Sequence, residues 1–433
     1  MALSTKPYKG TRDFYPEDMY VQKWMFENIA KTVEGFGYQP YDGPMLEPFE
    51  LYAAKSGQEI VEKQLYWFTD RGERKVAIRP EMTPTMARMV AGKVMELPKP
   101  VRWYSIPNLW RYERPQRGRL REHWQLNVDV LGGDNLFADA EILKLAHAVI
   151  AGFGGEDKIR IAINNRKLIN HVFKNLLKLD ADAALKASKA VDARDKIGEE
   201  AYLKLLAEAG LNSDQTSTME NFFKSDLETV CSDFDCEGAR ELNELFSVLK
   251  DDAISSVLKL EPQIMRGLDY YTGTVFEVYD VSPENNRAMF GGGRYDNLIG
   301  LFGNQQLSGV GFGMGDVTLR NFLESHNLLP ELKSHLDVFF VTANRDAVIQ
   351  SEKLASDLRK LGIKCASSLS TAKFNQQLKQ ANKLNAKIAV IIGESELENQ
   401  QLTLKDLVKG EQTSIATNQL TSHLKSMLPG SFN

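Results

Sequence analysis

The sequence runs to 433 residues, more than one hydrophobic core usually organises, so two or more domains are expected. Its 43% hydrophobic, 26% charged and 9% aromatic residues exclude the disordered, collagen-like and membrane classes. A formal net charge of −5 excludes a uniformly basic nucleic-acid coat, and three cysteines (Cys231, Cys236, Cys365) without a CxxC pair suit neither a disulfide framework nor a structural zinc site.

The opening MALSTKPYKGTRDFYPED has no apolar core of signal-peptide length, and no later stretch approaches the roughly 18 apolar residues that span a bilayer, so a cytoplasmic location is expected. Residues 17 to 36 read as an amphipathic helix, opened by Glu17 and Asp18, striped by Val21, Trp24, Met25, Ile29, Val33 and Phe36, and stopped by Gly37. The Pro/Gly-punctuated YQPYDGPMLEPFELY follows. Strand-like runs then alternate with turns through residues 64 to 131, including KVAIRP, VRWYSIPNLWRYE and WQLNVDVLG, which suggests a largely antiparallel sheet.

From Lys167 to Asp252 the pattern turns helical, rich in Leu, Ala, Lys and Glu, and reads as an inserted helical domain. Strand signals return in GTVFEVYDV and continue to GGGRYDNLIG and GVGFGMG, so the insertion splits the sheet in sequence. After LLPELKSH, strand VFFVTA, a helix from Asp346 to Leu361, strand IKCASS, a helix around residues 372 to 384 and strand IAVIIG predict a small α/β domain with a mostly parallel sheet. From Ser334 onward there are 12 basic against 9 acidic residues, a net +3 beside −8 for the remainder; on charge alone, chance accounts for an offset this small.

Four clusters carry chemistry. In NLWRYERPQRGRLREHWQLNVDV, Arg111, Arg114, Arg117, Arg119 and Arg121 flank a turn between two strands. Guanidinium forks suit phosphate oxygens, so ATP or an RNA end is the natural partner. A charge run alone more often marks a solvated loop, but Trp124 and Gln125 add an aromatic ring and an amide. In RPEMTPTMARM, Glu81 either accepts from an ammonium group or pairs at the surface with Arg79, the two readings being equally good. RGLDYYTGTVFEVY sets Arg266 before Tyr270 and Tyr271, whose hydroxyls can recognise an imidazole nitrogen or simply serve a core. In FGGGRYDNL, Gly291 to Gly293 carry no Cβ, which suits close approach to a ligand or a β-bulge.

The arginine-rich hairpin resembles motif 2 of class II aminoacyl-tRNA synthetases, and RGLDYYTGTVFE with GGGRYDNL resembles the two peptides peculiar to histidyl-tRNA synthetases. KGTRDFYPED is similar to how that family begins, and IAVIIGESELENQQLTLKDLVKGEQTSI to its anticodon-binding domain. The resemblance implies an α+β fold: the class II antiparallel sheet with helices over residues 1–327, a helical insertion about 167–252, and a C-terminal α/β anticodon-binding domain over 334–433. It implies a cytoplasmic ligase that activates L-histidine with ATP and Mg²⁺ and charges tRNA-His. It also implies a homodimer, with the first helix and GYQPYDGPMLEP at the interface.

Residue roles follow from the same resemblance. Glu81, Thr83 and Gln125 hold the histidine ammonium and Asp129 with Tyr271 reads the imidazole, with Met82 and Tyr270 also in the histidine site; many relatives have Glu at the position of Asp129. Arg111 and Arg266 serve the α-phosphate and carboxylate and carry catalysis. Glu113 reads the adenine amine, Trp124 stacks on adenine, and Arg121 takes the outer phosphates. Arg114 and Gln116 lie where the family touches the tRNA acceptor end. No residue is assigned as a protein-held metal ligand. One departure stands out: GFGMGDVTLRNFL has Thr318 where motif 3 carries an arginine, and Arg320 sits about 200° away around a helix. Two other readings are a non-catalytic paralogue resembling the regulatory subunit of ATP phosphoribosyltransferase, which generally lacks the C-terminal domain and RGLDYY, and a tRNA-binding sensor, which need not keep Glu81, Gln125, Asp129 and Arg266 together.

Overall fold

The computed structural model describes residues 3–53, 60–265, 271–285, 287–303, 305–331, 336–369 and 372–428. The chain divides into two compact units, Met1–Pro330 and Glu331–Asn433. The first begins with helix Pro16–Gly35. Pro16 occupies the first turn, where a missing N–H costs nothing, and Glu17 and Asp18 sit at the positive end of the helix dipole. Val21, Met25, Ile29 and Val33 recur every fourth residue and are all buried, each contributing roughly 1.5–3 kcal/mol. Gly37, at φ +82°, turns the chain out of the helix.

The central sheet has nine strands. Eight of them are β1 (Gln39–Pro40), β2 (Val101–Ser105), β3 (Glu122–Leu131), β4 (Ile159–Asn165), β5 (Leu258–Leu260), β6 (Thr274–Asp280), β7 (Ala288–Tyr295) and β8 (Gly309–Gly315), in the order β1-β2-β3-β8-β7-β6-β4-β5. The ninth, Asn108–Trp110, pairs antiparallel with the start of β3. Only the outer pairs, β1 with β2 and β4 with β5, are parallel. Strands β3 and β8 are neighbours although most of the unit's sequence lies between them.

Side chains alternate across each strand, so the sheet has two unlike faces. Leu126, Val128 and Val130 of β3, Phe276 and Val278 of β6, and Val310, Phe312 and Met314 of β8 pack beneath helices Pro16–Gly35 and Asn135–Ala151. Arg294 of β7 also points to this side, where it is buried and bonded to Asp139 (2.5 Å) and the Asn135 carbonyl (2.8 Å). The opposite face carries polar residues and glycines, together with the apolar Val101, Leu131 and Val275.

Between β4 and β5 the chain is helical: Arg166–His171, Ala181–Ile197, Glu199–Glu208, Ser213–Phe223, Leu227–Asp233 and Glu237–Leu249. Asp180, Asn212 and Asp226 cap three of these helices by accepting from free N–H groups of the first turn. Leu168, Ile169, Leu242 and Leu245 belong to the same apolar core as β3 and β4. Gly238 makes that packing possible, since a Cβ there would fall 2.3 Å from the Leu168 nitrogen. The helical segment and the sheet therefore share one core.

The second unit holds a five-stranded sheet, ordered Cys365–Ser367, Leu336–Thr342, Ala386–Ile392, Gln401–Asp406, Gln412–Ala416. The first three strands are parallel, linked through helices Arg345–Lys360 and Phe374–Lys383. The last two add antiparallel, so the sheet is mixed where a mostly parallel one was expected. A tight turn folds the last strand back on the fourth: Asp406 accepts from the Val408 and Lys409 nitrogens, and Gly410 takes φ +78°. Leu402, Leu404 and Ile415 of the hairpin are buried in the unit's core. Among the described residues, no helix is long and apolar enough to cross a membrane.

Candidate active site

A cavity of about 390 Å³ lies on the polar face of the central sheet, within the range typical of small-ligand sites. Strand β3 supplies its floor. His123, Gln125, Asn127 and Asp129 alternate along one face and all line the cavity. Their neighbour β8 carries Gly309, Gly311, Gly313 and Gly315 on that face. The glycines are a steric requirement: a Cβ at Gly311 would meet Asp129 Oδ1 at 2.4 Å, and one at Gly313 would meet Gln125 Nε2 at 2.1 Å.

Asp129 is buried, and Tyr295 donates to its Oδ1 at 2.5 Å. Burial raises the carboxyl pKa to about 7, with the tyrosine hydroxyl pulling the other way. Tyr271, also lining the cavity, is held protonated first by burial and then by the negative charges of Asp129 and Glu81. It is therefore a donor beside a carboxylate. Buried Glu81 follows strand Lys75–Ile78, and Thr83 begins helix Thr83–Lys93; both line the cavity. Arg79 gives its guanidinium to Asp42 (2.7 Å) and to the Gly43 and Asn108 carbonyls. Met82 is fully buried and lies outside the cavity lining.

Arg111 and Glu113 line the other end, with Arg111 Nε donating to the Pro80 carbonyl at 2.9 Å. The hairpin tip closes by reciprocal backbone bonds between Gln116 and Arg119, with Gly118 at φ +78°. Arg114 and Gln116 are exposed there. Thr318 also lines the cavity; its hydroxyl donates to the Gly315 carbonyl, and a Cβ at Gly118 would stand 3.3 Å from its methyl group. Arg320 points elsewhere, to Asp18 (2.9 Å) and Glu324 (3.0 Å).

Two expected nucleotide contacts fall outside the cavity lining. Trp124 follows His123 on a strand, so it faces the opposite side, where its ring meets Phe14 edge-on at 5.3 Å; its main-chain N–H donates to Asp316. The ring that faces the cavity from this strand is His123, whose pKa burial and then Arg111 push down to about 3. Arg121 is buried, with its guanidinium over the Tyr112 ring at 4.0 Å and bonded to the Tyr8 hydroxyl and the Glu113 carbonyl. It braces the hairpin against the N-terminal segment.

Arg266 and Tyr270 lie outside the described residues. The chain leading to them is pinned: Asn164 donates to the Pro262 and Ile264 carbonyls, and Arg166 to that of Met265. His123, Asn127, Tyr295 and Glu277 line the cavity without having been singled out from sequence. The parity of WQLNVDV, counted outward from Gln125 and Asp129, marks the first two.

Residues 10–317 match the family model described as histidyl-tRNA synthetase, and residues 337–427 match the anticodon binding domain. A histidine--tRNA ligase of Leptospira biflexa is 44% identical over 433 residues, covering 98% of each chain. One of Haloarcula marismortui is 39% identical over 416 residues, covering 94% of each. The solved structure of histidyl-tRNA synthetase from Nostoc sp. PCC 7120 superposes with a TM-score of 0.82 at 24% identity, covering 99% of this chain and 100% of that one, and so shares the fold. Similarity of this extent, through both units and across the strands that build the cavity, shows that the chain belongs to the histidyl-tRNA synthetase family.

Proposed function

We propose that this protein activates L-histidine with ATP and transfers it to the 3′ end of tRNA-His. The observation that carries this reading is the convergence of Glu81, Thr83, Gln125, Asp129 and Tyr271 with Arg111 and Glu113 in one cavity. The first group suits histidine: acceptors for the ammonium, and a carboxylate with a phenol for the two imidazole nitrogens. The second suits a nucleotide, with Arg111 at the α-phosphate, Glu113 toward the adenine amine and the His123 ring beside the base. Arg266 completes the phosphate side by family resemblance.

The histidine carboxylate attacks the α-phosphorus in line, giving histidyl-adenylate and releasing pyrophosphate. The terminal ribose hydroxyl of tRNA then attacks the carbonyl carbon and releases AMP. No enzyme nucleophile takes part; positioning and electrostatic stabilisation carry the chemistry. Mg²⁺ favours phosphate oxygens plus one or two carboxylates, and the cavity-lining Glu277 supplies such an oxygen donor. When bound it offsets the phosphate charge. Exposed Arg114 and Gln116 suit the acceptor end of tRNA, and residues 334–433 its anticodon.

A homodimer is part of this reading. The small sheet of Leu46–Pro48, Lys75–Ile78 and Trp67–Thr69 exposes Leu46, Trp67 and Phe68, with Met45 beside them, an apolar surface suited to a second copy. Histidine-dependent exchange of pyrophosphate into ATP tests the function: robust exchange with histidine alone among the amino acids is expected. No exchange in the purified protein overturns the reading.

A further inference from the structure

We infer that Asn127 is a positioning residue for the substrate's ammonium group, because it fixes the Gln125 amide with its carbonyl oxygen toward the cavity. The inference rests on the histidine reading above and adds a residue to it. Asn127 is buried and lies two positions beyond Gln125 on the same face of β3. Its Nδ2 donates to the Gln125 main-chain carbonyl at 2.9 Å. A carbonyl oxygen can only accept, so this bond fixes which end of the Asn127 amide is which. Asn127 Oδ1 is then the acceptor for Gln125 Nε2, also at 2.9 Å.

The consequence falls on Gln125. With Nε2 held on the Asn127 side by one of its two hydrogens, Oε1 is left as the acceptor at the other end of the amide, on the side of the His123 ring with which Gln125 also bonds. An ammonium has three donors and no acceptor, so this orientation matches it, whereas the flipped amide would set donor against donor. Gly313 keeps the arrangement open, since a Cβ there would overlap Gln125 Nε2 and stand 3.6 Å from Asn127 Oδ1. His123, next along this face, is neutral at pH 7 and brings no cation against the incoming ammonium.

The test is calorimetric binding to the full chain of two ligands: L-histidinol, which has the ammonium and imidazole but no carboxylate, and imidazolepropionate, which has the imidazole and carboxylate but no ammonium. Asn127→Ala is expected to weaken histidinol about tenfold while leaving imidazolepropionate within about twofold, the loss of one hydrogen bond to a charged group. Asn127→Asp keeps an acceptor for Gln125 and is expected to retain histidinol binding, which holds the proposal open to refutation should the alanine variant not fold. Equal weakening of both ligands, no weakening of either, or loss of histidinol binding in Asn127→Asp overturns the proposal. A parent protein that binds neither ligand overturns the histidine reading, and this proposal with it.

Discussion

The two ends of the cavity are built differently. At one end, Gln125, Asn127 and Asp129 stand on a central strand facing glycine at each position of its neighbour β8, and Asn127 and Tyr295 bond the Gln125 amide and the Asp129 carboxyl. At the other end, Arg111 and Glu113 belong to a hairpin braced by Arg121, Tyr112 and Tyr8. A strand fixes direction through its two-residue period, so one well-placed residue fixes the parity of the rest. A loop offers no such rule. On the proposed reading, the contrast teaches that specificity is set on strand backbone, while charge is brought in on a braced arm.

The largest effect should come from the arm. Arg111→Ala is expected to lower kcat for adenylate formation about 10²–10³-fold, the usual loss for one electrostatic contact at a reacting centre. Pyrophosphate exchange at saturating ATP checks it, and a change confined to the histidine KM would transfer Arg111 to the other end of the cavity. Next comes the test of strand parity. His123→Ala should raise the ATP KM about tenfold through loss of ring contact with the base. Trp124→Ala should leave that KM alone and lower the melting temperature, because its ring packs with Phe14. The reverse pattern would restore Trp124 to the nucleotide site.

A subtler effect concerns Asp129. Its folded pKa of about 7 lies above the ordinary 3.8, so the folded state holds this proton more tightly than the unfolded chain does. The stability it contributes is fully present below pH 3.8 and is lost as pH rises through about 7. Asp129→Asn should therefore flatten the fall in melting temperature across that window, while weakening histidine binding at pH 8. A slope unchanged by the substitution would mean that the carboxylate is not desolvated. The smallest effect is expected for Thr318→Arg: Gly118 of the hairpin lies against the threonine methyl, so the larger side chain gains no room to reach phosphate. A large rise in exchange rate would show instead that the arm yields.

Much of this protein was legible along the chain. The stripe Val21, Met25, Ile29 and Val33 announced its helix, and the arginine run marked the hairpin that lines the cavity, because helical periodicity and charge are local properties. Glu81, Gln125, Asp129 and Tyr271 were found through motif resemblance, and all four line the cavity. What could not be read locally depended on partners distant in sequence. Arg121 was expected at the outer phosphates, and the bond of its guanidinium to Tyr8, far back in the N-terminal segment, could not be read from the arginine run. Tyr295 became a cavity residue only because β7 and β3 lie on either side of β8, which brings its hydroxyl to Asp129. The antiparallel hairpin of the second unit likewise needed a sheet edge to join. Periodicity and composition act between residues a few positions apart and so are written in the sequence, whereas the direction of a side chain across a sheet, and which charge meets which hydroxyl, arise only when strands remote in sequence are set side by side.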